Sequence, residues 1–241
     1  MKIGAIVQAR QTSRRLPNKV LMKLQSKTIV DIIYQRLNKS DNLDDVIFAI
    51  PDNESNLLLK GELSRIGIKF FCGSEDDVLK RYFEAAKLYE IDHVIRITGD
   101  CPLVDPKILD DMIEKYGKGK YDYFSNINPP SFPDGYDIEI FSIELLEKAN
   151  LEAIERSERE HVTPYIKLIS KRFGNYFYEK DYSNLRLTLD NPEDFELFSE
   201  ISKEDIDITE VSFEEIIDII NSKPALIDLN ASFERNEAMK K

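Results

Sequence analysis

Read from its amino terminus, the chain alternates short apolar runs with stretches in which apolar residues recur every three or four positions. Ile3 to Val7 is a continuous apolar run and predicts a buried first strand. Ile29, Ile32, Ile33 and Leu37 then share a helical face with Arg36, and that helix ends near Ser40-Asp41-Asn42. Val46 to Ile50 predicts a second strand, stopped by Pro51-Asp52-Asn53. Leu57, Leu58, Leu63 and Ile66 mark the next helix, closed by Gly67, and Ile68 to Phe71 a third strand. Asp76 and Asp77 open a helix that repeats Val78, Leu79, Tyr82, Phe83 and Ala86, with acidic residues where the helix dipole favours them. Val94 to Ile97 is a fourth strand, and Asp105-Pro106 starts a helix with a good N-cap and proline at its first position. Strands that are apolar throughout, alternating with helices, imply the α/β class: a mostly parallel sheet with helices on both faces.

The second half is less regular. Tyr121 to Phe124 reads as a strand, and residues 126–135 as a turn-rich loop with Pro129, Pro130 and Pro133. Residues 137–141 alternate polar and apolar, as a half-exposed strand does. Helices are expected from Ser142 to about Ile154 and from Ser157 to about Lys171, short strands at Tyr176 to Tyr178 and Leu185 to Leu189, and a further helix from Asn191-Pro192. No repeat, linker or low-complexity stretch interrupts the pattern. One domain spanning residues 1–241 is expected, with about 121–185 forming a small flap over the ligand edge of the sheet.

Charge sharpens this picture. The 241 residues are 42% hydrophobic and 32% charged, an ordinary globular balance, with a net charge of -12. That excess of acid argues against general affinity for nucleic acid or for anionic membranes. The stretch from Asp190 to Asp218 holds twelve Asp or Glu against a single basic residue, Lys203, and reads as solvated helical surface. Two cysteines, Cys72 and Cys101, without CxxC spacing support neither a disulfide framework nor a zinc site. No run approaches the roughly 18 apolar residues of a membrane span. Nothing at the start resembles a signal peptide, so a cytoplasmic protein is expected.

Against that acidic background, four cations fall within ten residues directly after the first strand: Arg10, Arg14, Arg15 and Lys19. Ligands of open α/β sheets bind beyond the carboxyl ends of the strands. A basic loop at that place suits an anion such as a polyphosphate, although solvated surface loops also carry charge runs. Asp100 follows Gly99 at the end of the fourth strand, and Asp190 follows Leu185 to Leu189. Each alone is equally a turn or helix-cap residue. Together with the loop they would meet at one sheet edge. Two carboxylates facing a cationic loop fit a nucleoside triphosphate with magnesium, which takes one or two carboxylates and completes its shell with phosphate oxygens and water.

The stretch Gln8-Ala9-Arg10-Gln11-Thr12-Ser13-Arg14-Arg15-Leu16-Pro17-Asn18-Lys19 resembles the Q-A-R-x-x-S-x-R-L-P-x-K signature of the CTP-dependent sugar cytidylyltransferases, most closely the spore-coat polysaccharide type. The likeness continues through residues 73–82, 96–100, 133–139 and 157–165, and its blocks are spread from residue 3 to about 195. Thr12 and Asn18 stand where relatives usually carry glycine, the residue that lets backbone approach phosphate and tolerates positive φ. The resemblance implies a Rossmann-like nucleotide-diphospho-sugar transferase fold. It also implies nucleotidyl transfer: an acceptor oxygen attacks the α-phosphorus of CTP, and pyrophosphate leaves. It places Gln8, Ala9, Arg10, Ser13, Arg15, Lys19, Ser74, Arg96 and Asp100 at the nucleotide, with Arg10, Arg15, Lys19 and Asp100 catalytic. G-D-x-P and L-D-x-P-x-D assign Mg²⁺ to Asp100 and Asp190. Arg14 falls at an open position of the signature and is expected to face solvent.

On the acceptor side the resemblance implies Asp134, Asp137, Glu139, Arg159, Glu160 and His161, with Arg159 suited to a carboxylate or phosphate. His161 is equally a helix residue satisfied by hydrogen bonds. His93 is expected to be structural, and Tyr82 and Phe83 to belong to the core. No general base stands out; a bound metal lowers the pKa of a hydroxyl. Nonulosonic acids, other sugar acids and phosphorylated sugars all fit such an acceptor site, and a homodimer is expected by analogy. Two other readings remain open. A nucleotide-sugar-dependent glycosyltransferase would carry its D-x-D motif after a strand near the middle of the sequence. The one candidate, Asp205-Ile206-Asp207, comes late in the acidic region. A non-catalytic nucleotide-binding homologue is suggested by Thr12 and Asn18.

Overall fold

The computed structural model describes residues 1–235. Strand β1 (Ile3–Gln8) leads into a loop with a short 3-10 turn at Lys19–Leu21 and a small antiparallel hairpin, β2 (Lys23–Leu24) with β3 (Lys27–Thr28). Helix α1 (Ile29–Leu37), β4 (Asp45–Pro51), α2 (Leu57–Arg65), β5 (Lys69–Gly73), α3 (Val78–Leu88), β6 (His93–Thr98) and α4 (Pro106–Gly119) complete the regular half. The remainder is β7 (Tyr123–Ser125), β8 (Glu139–Ser142), α5 (Ile143–Glu152), α6 (Arg156–His161), α7 (Thr163–Ile169), β9 (Phe173–Asn175), α8 (Pro192–Ile201), α9 (Phe213–Ser222) and α10 (Ala225–Asp228).

Seven strands form one sheet in the order β5-β4-β1-β6-β8-β7-β9. β5, β4, β1 and β6 run parallel, β8 is antiparallel to both neighbours, and β9 is parallel to β7. The twofold period of β1 sends Ala5 and Val7 into a core shared with α1, α4, α8 and α9, while Ile6 enters a second core with α3, α5 and α7. Fully burying one such side chain stabilises by about 1.5–3 kcal/mol. Both faces of the central strands are therefore covered, as expected for the α/β class.

Local signals set the helix ends. Asp105 caps α4 by accepting from the backbone of Lys107 and Ile108 at 2.8 and 3.1 Å, with Pro106 in the first turn. Ser212 and Glu215 form a capping box on α9.

Several expectations are corrected. The strands within residues 121–185 extend the main sheet instead of forming a separate layer, and the connection 126–138 at the carboxyl edge is bonded to the segment that follows β9. The strand expected at Tyr176 to Tyr178 lies at Phe173–Asn175, where Asn175 secures the 126–130 turn through Asn128 and Pro129. Leu185 to Leu189 is extended but joins no strand; it bridges Asp134 at Arg186. The helix expected over 157–171 is two helices. Pro164 has no N–H for an interior helical bond, and Val162 breaks the run with φ 69. The acidic stretch is not all solvated surface: Leu197, Phe198, Ile201, Phe213, Ile216 and Ile217 are buried, and so is Asp194. The acidic residues hid an apolar helical face. The β2–β3 hairpin, two residues per strand, is too short to leave a periodic signal. Among the described residues, no helix is long and apolar enough to cross a membrane.

Candidate active site

The loop after β1 is built from its own side chains inward. Gln11 receives the first anchor: its backbone N–H donates to Asn56 Oδ1 at 2.8 Å, and its side chain accepts from Leu59 N at 3.2 Å. Asn18 takes φ 60, the left-handed conformation that asparagine tolerates best after glycine. The loop thus keeps the backbone shape without the glycine. Thr12 is not among the positive-φ residues, and its hydroxyl donates to Glu75 Oε1 at 2.8 Å. Asn53 holds the other oxygen of Glu75 at 2.5 Å. Both departures from the signature therefore have a local structural reason.

The centre of the site is a four-charge cluster. Lys19, only 8% exposed, donates to Asp100 Oδ2 at 3.0 Å and to Asp190 Oδ1 at 2.6 Å. Arg15 donates to Asp190 Oδ2 at 2.6 Å, and Thr98 to Asp100 Oδ1 at 2.5 Å. Burial works against the charge of Lys19, but Asp100 and Asp190 more than offset it and raise its pKa. Burial likewise works against the Asp100 anion, and Lys19 and Thr98 reverse that, bringing its pKa to about 2.

Three separate segments meet here because their backbones interlock. A Cβ at Gly99 would lie 2.9 Å from the Gln8 carbonyl oxygen, so glycine lets the β6 loop pack against the β1 loop. Leu189 N and Thr188 Oγ1 both donate to the Asp100 carbonyl, at 2.8 and 3.2 Å, which sets Asp190 opposite Asp100. Gly135, at φ 104, allows the 126–138 connection to rest on Leu187. Neither aspartate is a helix cap: α8 is capped by Asn191 and Asp194, and α4 by Asp105.

The other expected nucleotide residues lie on the β1 loop and on neighbouring segments. Arg10 and Arg14 are both exposed and form no ion pair with any described residue. Arg10 lies near buried Arg81, whose pKa falls to about 10, chiefly through burial. Gln8 ends β1, Ala9 is buried beside it, and Ser13 is half-buried on the loop. Ser74 Oγ accepts from Asp77 N at 3.0 Å. Arg96 is different. It faces inward, pairing with Glu139 and donating to Gln8 Oε1 at 3.2 Å, so it reaches the loop only through Gln8.

The expected acceptor residues divide into three groups. Asp134 and Asp137 lie near Asp100. Burial raises their pKa to about 7 and about 6; mutual repulsion is the next cause at Asp134, while at Asp137 Arg235 opposes the rise. Glu139 is committed internally to Arg96, Lys167 and Tyr123; burial opposes its charge, but Arg96 and Lys167 bring its pKa to about 2. Arg159 is also spent within the fold, its guanidinium on Asp77 at 2.6 and 3.0 Å and on Asn150. Glu160 and His161 are half-buried at the end of α6. Sequence reasoning missed Arg186, Arg235, Lys167 and Glu75. Arg186 alone left a signal, a cation between two leucines in an apolar stretch, and it holds Asp194 bidentately at 2.8 and 2.9 Å. The D-x-D candidate is used locally, since Asp207 caps its own turn at Thr209 and meets Lys27.

A cationic loop clasping two carboxylates at the carboxyl edge of a parallel sheet defines an α/β nucleotidyltransferase with a Rossmann-like fold. Comparison with known proteins agrees: a family model described as cytidylyltransferase matches residues 4–236, and the chain belongs to that family. It is 38% identical over 236 residues to an uncharacterized protein of Methanocaldococcus jannaschii, covering 96% of each chain. The spore coat polysaccharide biosynthesis protein SpsF of Bacillus subtilis is 32% identical over 228 residues, 91% of this chain and 94% of its own. A solved cytidylyltransferase of Leptospira borgpetersenii superposes with TM-score 0.88 at 34% identity, covering 98% of both chains.

Proposed function

We propose that the protein transfers CMP from CTP to an acidic or phosphorylated sugar for surface-glycan synthesis, with Mg²⁺ held by Asp100 and Asp190. The observation that carries this reading is the sharing of one ammonium, Lys19, between the two carboxylates. A single cation can thus touch both. The donor set is two hard oxygens from separate segments. Among the described residues no group of three or more His, Cys, Asp or Glu forms a ready metal cage. A small oxygen-seeking cation that fills its shell with phosphate and water suits such a pair. When bound, magnesium would neutralise charge on the triphosphate and lower the pKa of the acceptor hydroxyl.

The protein's own residues do the rest by positioning and charge. Lys19 and Arg15, released onto the triphosphate, and exposed Arg10 would balance the charge that grows on the pyrophosphate as the α–β bridging P–O bond breaks. The acceptor oxygen forms the new bond to the α-phosphorus. Asp134 and Asp137 face the acceptor in this reading and bind its hydroxyls; Glu160 and His161, at the end of α6, belong to the same proposed acceptor set. Arg96, Glu139 and Arg159 support the walls. The surface-glycan role is suggested by the name of the Bacillus relative.

The test is thermal stability against ATP, CTP, GTP and UTP, with and without Mg²⁺, followed by pyrophosphate release with candidate sugar acids. Ligand at about 100 times its Kd adds about 2.7 kcal/mol. A magnesium-dependent shift with CTP alone is expected. An equal response to all four nucleotides, or none, would overturn the donor assignment.

A further inference from the structure

Every oxygen of the Asp100–Asp190 pair is already engaged by a donor of this same protein. Thr98 takes one oxygen of Asp100, Lys19 the other together with one of Asp190, and Arg15 the last. The two negative charges face two positive ones, so the cluster is neutral by itself. Lys19 is buried and cannot simply swing into water, and both its partners are only about one-quarter exposed or less. A divalent cation arriving alone would meet two resident cations and a pair of carboxylates that are already satisfied. A triphosphate changes the balance, because it offers Lys19 and Arg15 new anionic partners at the moment it frees the carboxylates.

We propose that Lys19 and Arg15 are place-holding cations, which keep free divalent metal off Asp100 and Asp190 and surrender the carboxylates only when a nucleotide triphosphate arrives. This rests on the reading of the two aspartates as metal ligands. Metal and CTP then bind as one unit: each raises the affinity of the other by the same factor, as linkage requires. The physical source is an exchange of partners. Lys19–carboxylate and Arg15–carboxylate contacts become cation–phosphate contacts, and the carboxylates pass to the metal. No charge is left buried and unpaired at any stage, a condition that would cost several kcal/mol.

The device also assigns different weights to the two cations. Lys19 touches both aspartates, whereas Arg15 touches one oxygen of Asp190. Removing Lys19 should open the pair to free metal; removing Arg15 should do so only in part.

The experiment is a titration of Mn²⁺ into the full-length protein, followed by electron paramagnetic resonance, without nucleotide. Lys19→Met is expected to bind Mn²⁺ at least tenfold more tightly than wild type, and Arg15→Met a few-fold more tightly. Lys19→Arg, which keeps the charge, should remain like wild type, and Lys19→Met combined with Asp100→Asn should lose the gain. Equal nucleotide-free affinity in wild type, Lys19→Met and Arg15→Met would overturn the proposal. Arg15→Met decides the matter should Lys19→Met fail to fold, which circular dichroism reports. A parallel titration with Mn²⁺ and CTP on wild type, Asp100→Asn and Asp190→Asn separates the two levels. Loss of Mn²⁺–CTP binding in the aspartate variants upholds the metal ligands even where the place-holding idea falls. Unchanged binding in those variants removes the ligands and the place-holders together.

Discussion

Two pairs of aspartates lie at the same sheet edge and are set in opposite ways. Asp100 and Asp190 share Lys19, with Arg15 and Thr98 closing the cluster, and the pKa of Asp100 is drawn down to about 2. Asp134 and Asp137 are as deeply placed but poorly supplied. Arg186 gives its bidentate grip to Asp194 and meets Asp134 only at 3.3 Å, and the burial of Asp134 lifts its pKa to about 7. Asp137 has Arg235 and still reaches about 6. Burial is common to both pairs, and each has two cations at hand. What differs is that Lys19 bonds both members of the first pair, whereas Arg186 is committed mainly to Asp194. Nearby carboxylates, Asp137 at Asp134 and Glu139 at Asp137, add repulsion. Asp100 stays anionic at any physiological pH. The second pair holds or releases a proton near neutrality.

The largest expected effect breaks the first pair. Asp100→Asn should lower the rate of CTP-dependent pyrophosphate release by about 10²–10³-fold, since a charge that acts on the transition state is lost. A wild-type rate in Asp100→Asn would take this residue out of the chemistry and erase the functional half of the contrast.

A smaller effect sharpens the second pair through pH. A carboxyl whose folded pKa is raised binds more protons when folded, so its contribution to stability falls as pH rises from about 4 through about 7. Asp134→Asn should therefore gain on wild type in urea unfolding by on the order of 2–4 kcal/mol between pH 4 and pH 8. Asp100 has the opposite sign: its contribution is present above its ordinary pKa of 3.8 and is lost as pH falls through about 2. Parallel pH profiles for Asp134→Asn and wild type would show that the two pairs are not set differently.

The smallest effect concerns the frame around the first pair. Thr12→Gly restores the residue usual in relatives but removes the hydroxyl that ties the loop to Glu75. A loss of about 1 kcal/mol in urea unfolding is expected, with Thr12→Ser close to wild type. A more stable glycine variant would mean that the tie does not order the loop.

Much of the fold is legible in the sequence because its causes are local. The apolar strands Ile3–Val7, Val46–Ile50 and Val94–Ile97, their intervening helices and the Asp105-Pro106 cap all follow from periodicity and capping, which neighbouring residues decide. The loop cations and Asp100 could be placed at one edge because parallel strands present their carboxyl ends together; Asp190 reaches that edge on a segment that joins no strand and is held through the Asp100 carbonyl. Short elements are less legible. β9 is three residues long, and the segment 185–189 is held by Asp134 and the Asp100 carbonyl, partners far along the sequence. The break at Val162 falls two residues before Pro164, a local signal that the helical period alone passes over.

The sequence by itself determined the α/β alternation and the position of the basic loop, since each depends on residue order along one segment. Only the tertiary structure decided how those charges are used. Arg96, Glu139 and Arg159 carry the chemistry of binding residues yet are spent on partners inside the fold, and Asp134 and Asp137 titrate apart from Asp100. The charge and availability of a residue depend on burial and on partners brought from far along the sequence; Lys19 and Asp190 are 171 residues apart and 2.6 Å in space.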